Sequence, residues 1–280
     1  MNKHKKLRDG IYYVFVLALG FVMIYPILWM FASSLKPSQE IFNNALSLIP
    51  SEFMWENYPQ GWQGFGRTGF DIFFTNSAII TSLVVIGSIC SCSIVAFGFA
   101  RLNFKFKGLL FACLMGTIML PVQITLIPQY VLFHNIGWVN TFYPLIIPAF
   151  LGGTPFFVFL LIQFIRGIPR ELDEAAIVDG CSTIGIFWRI ILPLLTPALV
   201  TVALFAFMWT WDDFLAPLIY LNNASLHTVT LGLRNFMDAD GNTNWGPLLA
   251  MSSLSLMPQF ILFAFFQKYL VQGIATTGLK

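Results

Sequence analysis

The chain alternates between long charge-free runs and short breaks rich in polar residues, glycine and proline. A helix needs about 20 apolar residues to cross a membrane once. The runs from Ile11 to Leu35 and from Ile72 to Ala100 each reach that length. The run from Gly108 to Ile165 is about three times as long as one span needs, so it must fold back. The polar patch His134-Asn135-Ile136-Gly137-Trp138-Val139-Asn140-Thr141 is the natural turn. Ile190 to Trp211 and Gly241 to Gln267 complete the set. The pattern predicts an all-α polytopic membrane protein with six transmembrane helices, over about 11–34, 77–100, 109–132, 143–165, 194–216 and 248–269. Phe214 to Leu233 is also charge-free. Its Pro217, Asn222, Asn223, Ser225 and His227 would be costly in hydrocarbon. It reads as the end of helix five followed by an external loop.

Composition agrees with that class. Charged residues are only 10% and hydrophobic residues 57%, against about 25% charged in soluble domains. Too few charges remain to cover a water-facing surface. Their placement sets the orientation. With six spans and the amino terminus inside, the inner segments hold Lys3, Lys5, Lys6, Arg8, Arg101, Lys105, Lys107, Arg166, Arg170, Arg189, Lys268 and Lys280. Of the 15 basic residues, that leaves Lys36, Arg67 and Arg234 outside. This asymmetry follows the positive-inside rule and puts both termini in the cytoplasm. Tyr12, Tyr13 and Tyr269 then fall at inner edges, and Trp138, Tyr143 and Trp245 at outer ones. The first span reads as retained, because its apolar core is too long for a signal peptide and no clean cleavage site follows. The chain divides into residues 1–70 (tail, first span, external loop), a core over 71–270 with an inner loop at about 166–193, and a cytoplasmic tail over 271–280. The external segment Lys36 to Thr75, with Pro37, Pro50 and Pro59, reads as an ordered loop.

Several chemistries are disfavoured. Cys90, Cys92, Cys113 and Cys181 match no disulfide framework or zinc spacing, and Cys90-x-Cys92 has no third ligand nearby. No metal site is expected. Asp212 and Asp213 are adjacent, so on a helix they point about 100° apart and cannot face one another as a protease dyad. His4, His134 and His227 are scattered. A secondary transporter would place ionisable groups near mid-bilayer, and none lies deep in a predicted span. No G-x-x-x-x-G-K-[ST] loop is present to cradle ATP phosphates. The small net charge of +2 gives no sign of nucleic acid.

The inner loop between helices four and five carries the most information. Pro169 suits a first helical turn, and Glu171, Asp173 and Glu174 lie where the helix dipole favours negative charge. Gly180 suits a helix stop. A short helix outside the membrane is predicted from about Pro169 to Asp179. Its centre, Ala175-Ala176, is flanked by Leu172 and Val178, and small side chains there let another protein approach the backbone. Ile186, Phe187, Trp188 and Ile190 suit a stretch lying along the lipid interface. An ordinary interfacial hairpin would show much of this pattern. The spacing is narrower. Glu174-Ala-Ala-x-x-x-Gly180, then nine residues, then Ile190-x-Leu192-Pro193 resembles the cytoplasmic signature of ABC importer permeases.

The resemblance extends along nearly the whole chain. Tyr25-Pro26 through Ser34-Leu35-Lys36-Pro37, Asn76-Ser77, Met119-Leu120-Pro121 and Ile127-Pro128 resemble the sugar-importer branch. Trp211-Asp212-Asp213-Phe214-Leu215-x-Pro217-Leu218, Trp245-Gly246 and Leu249-Ala250-Met251 add to it. The chain is similar to the smaller, six-span permease of maltose-type carbohydrate transporters. This implies the type I ABC importer transmembrane fold in a bacterial or archaeal cytoplasmic membrane. It implies that Leu172, Glu174, Ala175, Ala176, Asp179, Gly180, Ile190, Leu192 and Pro193 form the coupling loop against an ATPase. The external loop from Asn222 to Pro247, with Asn235, Phe236 and Trp245, would meet a solute-binding protein. The carboxyl tail would reach between ATPase subunits, and helices two to six would form half of the pathway. The implied partners are a second homologous permease, two ATPase subunits, an extracytoplasmic binding protein, a carbohydrate and lipid. No cofactor is expected on this chain; ATP and Mg belong to the ATPases. The expected function is that of a transport subunit, not an enzyme, importing a sugar of the oligosaccharide class.

Polar residues within spans are the pathway candidates: Gln123, Thr125, Gln163, Trp209, Trp211, Asp212 and Gln259. Sugar hydroxyls want hydrogen-bond partners, and sugar C–H faces pack on aromatic rings. Intramembrane polar groups are costly and often functional. The plainer alternative is that they tie helices together, and for Asp212 that it ends a helix in water.

Overall fold

The computed structural model describes residues 3–64, 68–237 and 243–275, and the side chains of residues 8–64, 68–237 and 243–268. Arg67, Lys280, the last five residues of the tail and the middle of the 222–247 loop therefore lie outside the described residues. Every element among those described is helical. Four segments are long and apolar enough to cross a membrane: Arg8–Ser33, Phe70–Arg101, Tyr143–Gly167 and Trp245–Lys268. Two bent pairs raise the number to six if each pair is one span.

In chain order the helices are α1 (Lys3–Ser33), α2 (Glu40–Asn43), α3 (Asn57–Gln63), α4 (Phe70–Arg101), α5 (Lys107–Ile118), α6 (Val122–Asn135) and α7 (Tyr143–Phe150). There follow α8 (Pro155–Gly167), α9 (Glu171–Val178), α10 (Thr183–Leu194), α11 (Thr196–Trp211), α12 (Leu215–Tyr220), α13 (Val229–Arg234) and α14 (Trp245–Ala275). A π-helical turn occupies Phe187–Ile191 within α10.

The breaks correct the uniform helices expected from hydropathy. The third expected helix, 109–132, is α5 and α6 meeting at 104°. Pro121 has no N–H to continue the ladder and sits extended, with ψ 133°. The fifth, expected over 194–216, starts only at Thr196, after a 74° bend from α10, and stops at Trp211. Asp213 ends it by capping the next helix: its Oδ1 accepts from the Leu215 and Ala216 N–H groups at 3.1 and 3.2 Å. The fourth, expected over 143–165, is interrupted between α7 and α8, where Gly152 has φ +76°. The inner helix expected from Pro169 starts two residues later, at Glu171, and Ile168 before the proline is extended, with ψ 128°. The polar patch after α6 is a turn, as expected. Asn140 holds it: its N–H donates to the Tyr220 carbonyl, and its Oδ1 accepts from the Asn222 and Asn223 N–H groups.

The chain forms two compact units. The first comprises residues 1–71 and 232–257. In it the segment after α1 folds around Lys36, which is fully buried and donates to the carbonyls of Asn44 and Ser47. Asn57 Nδ2 donates to the carbonyls of Ser34 and Lys36. Gly246 lies against that amide: a Cβ there would come within 2.6 Å of Asn57 Oδ1. The second unit comprises residues 72–231 and 258–280. Its core joins Cys92, Ala96 and Phe97 of α4 to Leu161 and Ile165 of α8, Ile191 of α10, and Ala198 and Val202 of α11. The small residues let helix backbones approach closely. Cys92 is thus packing material, and all four cysteines are free thiols.

Candidate functional site

The inner loop is built onto the ends of two spans. Arg101 is the last residue of α4. Its Nε lies 2.7 Å from Oδ2 of Asp173, and the two side chains are only 6% and 15% exposed. Its Nη2 donates to the Ile168 carbonyl at 2.8 Å. The charge pair therefore clips the first turn of α9 to the end of α4. Ala176 joins α9 to the core as its one buried residue. A larger side chain there would have to displace packed neighbours.

Gly180 ends α9 in a Schellman motif. The Cys181 N–H donates to the Ala176 carbonyl at 2.8 Å and the Gly180 N–H to the Ile177 carbonyl at 3.0 Å. This closure needs the φ of +79° found at Gly180, which a side chain would strain even though the space is open. Ser182 then caps α10 by accepting from the Gly185 N–H. The spacing from Ala176 to Gly180 is thus a helix stop fixed to a core contact. Ile186 and Phe187 are buried in that core, which corrects the expectation that they lie along the lipid interface. Trp188 and Ile184 remain outward.

The outward face of α9 is unusual for its size. Leu172, Ile177 and Val178 are exposed, Val178 at 86%, beside exposed Glu174, Ala175, Asp179 and Gly180. These apolar side chains are spread around the exposed sides of the short helix, and apolar groups left in the open there suit contact with a partner. Ile190 and Leu192 are half-buried and Pro193 is exposed. Arg101 and Asp173 were read from sequence only as an inner cation and a first-turn acid, and their pairing was not. A cation ending one charge-free run and an acid opening a short helix were the available signals.

The pathway candidates do not form one cluster. Trp209 is half-exposed and stacks on Phe157 at 5.2 Å, beside Phe156 and Phe205. Trp211 is buried, stacked on Phe207 and edge-on to Phe74. Gln123, Gln163 and Asp212 are exposed. Thr125 is half-buried and donates to the Val122 carbonyl of its own helix. Gln259 is half-buried, and its Nε2 has no hydrogen-bond partner among the described residues.

Asn76 and Ser77 tie α4 to the segment before α13. Asn76 Nδ2 donates to the carbonyls of Ser225 and His227, and Ser77 Oγ accepts from the Val229 N–H. Burial pushes the His227 imidazole below its ordinary value. In the first unit, Phe236 is buried against Phe70, Asn235 is half-buried, and Trp245 packs edge-on against Phe42. Among the described residues no group of His, Cys, Asp or Glu side chains could hold a metal ion.

Residues 84–276 match the family model for the binding-protein-dependent transport system inner membrane component. The chain is 37% identical over 268 residues to the probable ABC transporter permease protein YurM of Bacillus subtilis, covering 96% of this chain and 87% of that protein. It is 33% identical to the arabinooligosaccharides transport system permease protein AraQ of Halalkalibacterium halodurans, covering 94% and 93%. Its fold superposes with a TM-score of 0.84, at 17% identity and over 96% and 98% of the two chains, on a chain of a bacterial ABC transporter involved in the import of the acidic polysaccharide alginate. The all-helical architecture is therefore that of a type I ABC importer permease, and this multi-pass membrane protein belongs to the family of binding-protein-dependent transport system inner membrane components.

Proposed function

We propose that the chain is one permease subunit of an ATP-driven, binding-protein-dependent importer that moves an oligosaccharide-class carbohydrate into the cytoplasm. Six spans place both termini in the cytoplasm of a bacterium or archaeon, each bent pair counting as one span. The partners are a second permease, two ATPase subunits and an extracytoplasmic binding protein. ATP and Mg stay on the ATPases, and this chain binds no cofactor. Residues 71–270 form the permease core, and the tail over 271–280 reaches toward the ATPases.

One observation carries the reading: α9 presents exposed Leu172, Ile177 and Val178 while Asp173 and Ala176 hold it to the spans. A partner that grips the outward face and moves will carry the ends of α4 and α8 with it. Coupling thus needs no chemistry on this chain. Leu172, Glu174, Ala175, Asp179 and Gly180 form the gripped surface, Ala176 the core contact, and Ile190, Leu192 and Pro193 the return into the membrane. Substrate class rests on the arabinooligosaccharide and alginate transporters to which the chain is similar. The exposed rings of Trp209 and Phe156 suit sugar C–H faces. Gln123, Thr125, Gln163, Trp211 and Asp212 are the remaining pathway residues. Asn235, Phe236 and Trp245 belong to the segment facing the binding protein.

Glu174→Lys tests the loop. The side chain is exposed, so folding should change by no more than about 0.5 kcal/mol. Sugar uptake should fall while membrane abundance stays constant. Full uptake in membrane vesicles would remove α9 from the coupling role.

A further inference from the structure

A second feature sits at the start of α9. An open groove of about 700 Å³ lies where α4 ends, α5 begins and α8 passes into α9. That volume falls within the range of about 300–1,000 Å³ common to small-molecule sites. Arg101, Lys107, Arg166 and Arg170 line it, with Glu171 as the one carboxylate. Among the described residues only Arg101 of these four is ion-paired, to Asp173. Three unpaired cations therefore face one carboxylate. Lys107, Arg166 and Arg170 come from three separate stretches of chain and line this one groove. Like charges gathered in this way are relieved by an anion.

We infer that this groove binds the phosphodiester headgroup of an anionic phospholipid. A phosphate oxyanion matches the donors: Arg166 and Arg170 offer forked N–H groups, and Lys107 keeps free N–H bonds beyond the one it gives to the Leu102 carbonyl. Arg166 is also steadied over the Phe111 ring, 5.5 Å from its centroid. A soluble phosphate would satisfy the same donors, but the surroundings favour a lipid. The cations stand at the ends of spans, where headgroups lie. Phe106, Leu109 and Leu110 are exposed beside Lys107 and offer apolar surface that only an acyl chain uses. Phe106 is held in the left-handed region at φ 62°, which non-glycine residues rarely adopt, and it is 74% exposed there. Basic pockets between spans on the cytoplasmic side are suited to anionic headgroups.

The inference rests on the proposed inward orientation of this loop. The assembled importer would be reconstituted in nanodiscs containing phosphatidylglycerol among phosphatidylcholine, and retained lipid counted by native mass spectrometry. Retention of phosphatidylglycerol should fall about fivefold for Lys107→Gln or Arg166→Gln and about 25-fold for both, from about 1 kcal/mol per basic residue. The charge-conserving pair Lys107→Arg and Arg166→Lys should keep most of it. Equal retention in the doubly neutralised protein would overturn the site. Complete displacement by inorganic phosphate would assign the groove to a soluble oxyanion and overturn the lipid. Exclusion of phosphatidylglycerol from the assembled complex would show that a protein partner covers the groove, and would also overturn it. Lipid counting is blind to the side of the membrane. Labelling of Lys105→Cys by an impermeant reagent reports orientation separately: reaction only from outside would sink the orientation and leave the lipid count standing.

Discussion

The segment from Ser34 to Gln63 and the segment from Arg166 to Pro193 each take a charged side chain out of water, Lys36 in one and Asp173 in the other, and they satisfy it differently. In the first, the Lys36 ammonium is fully buried and held by backbone carbonyls of its own loop. Further neutral hydrogen bonds hold that loop, from Asn57 to Ser34 and Lys36 within it and from the Trp29 indole of α1 to Ala45. In the second, the acid Asp173 finds its partner on another helix, at Arg101, and the short helix is otherwise held by Ala176. The first segment is supported from within. The second is fastened at two points to spans and leaves Leu172, Ile177 and Val178 exposed. A segment built in the second way transmits displacement, because a rigid helix fixed to other helices cannot move alone.

The largest test of this contrast is Arg101→Met. Removing one partner of a nearly buried ion pair costs about 3–5 kcal/mol. Thermal unfolding should shift down, protease should nick the 166–193 loop faster, and uptake should collapse. Lys36→Met comes next. It leaves the half-buried Ser47 carbonyl without its donor, a cost of about 1–3 kcal/mol, while the exposed Asn44 can turn to water. Limited proteolysis should then open the 34–63 segment and leave 166–193 protected. If Lys36→Met loosened the α9 loop instead, the two segments would not be independent and the comparison would fail.

Gly180→Ala should act through strain alone, since nothing lies within 4 Å of the added methyl. The left-handed conformation costs an ordinary residue about 1–2 kcal/mol. Hydrogen exchange should rise at the last turn of α9, and Gly180→Asn should recover part of the loss. The smallest effect belongs to His227, whose Nδ1 is buried without a hydrogen-bond partner among the described residues and whose carbonyl accepts from Asn76. Burial lowers its folded pKa, so the unfolded chain takes the proton first as pH falls. Stability should decline as pH drops through the ordinary imidazole value and level off below the folded value. His227→Gln should flatten the Tm profile between about pH 8 and pH 5. An unchanged slope would show that this imidazole does not contribute.

The spans were legible because each is a local property. About 20 consecutive apolar residues suffice, whatever lies around them. The α9 helix was legible for the same reason, since its acidic first turn and glycine stop are local chemistry. Pro121 is visible in the sequence, but the 104° between α5 and α6 depends on what both helices pack against. Asp213 was visible as one of two adjacent acids. Only the structure separates the exposed Asp212 from the Asp213 that caps α12.

The order of charge-free runs, their length and the excess of cations on one set of loops are written in the residues, and they determine the class and the expected orientation. The clip from Arg101 to Asp173, the burial of Ile186 and Phe187, and the gathering of Lys107, Arg166 and Arg170 around one groove join residues from different helices. Periodicity along a chain carries no record of such pairings. They arise when helices choose neighbours by packing, and tertiary structure alone makes that choice.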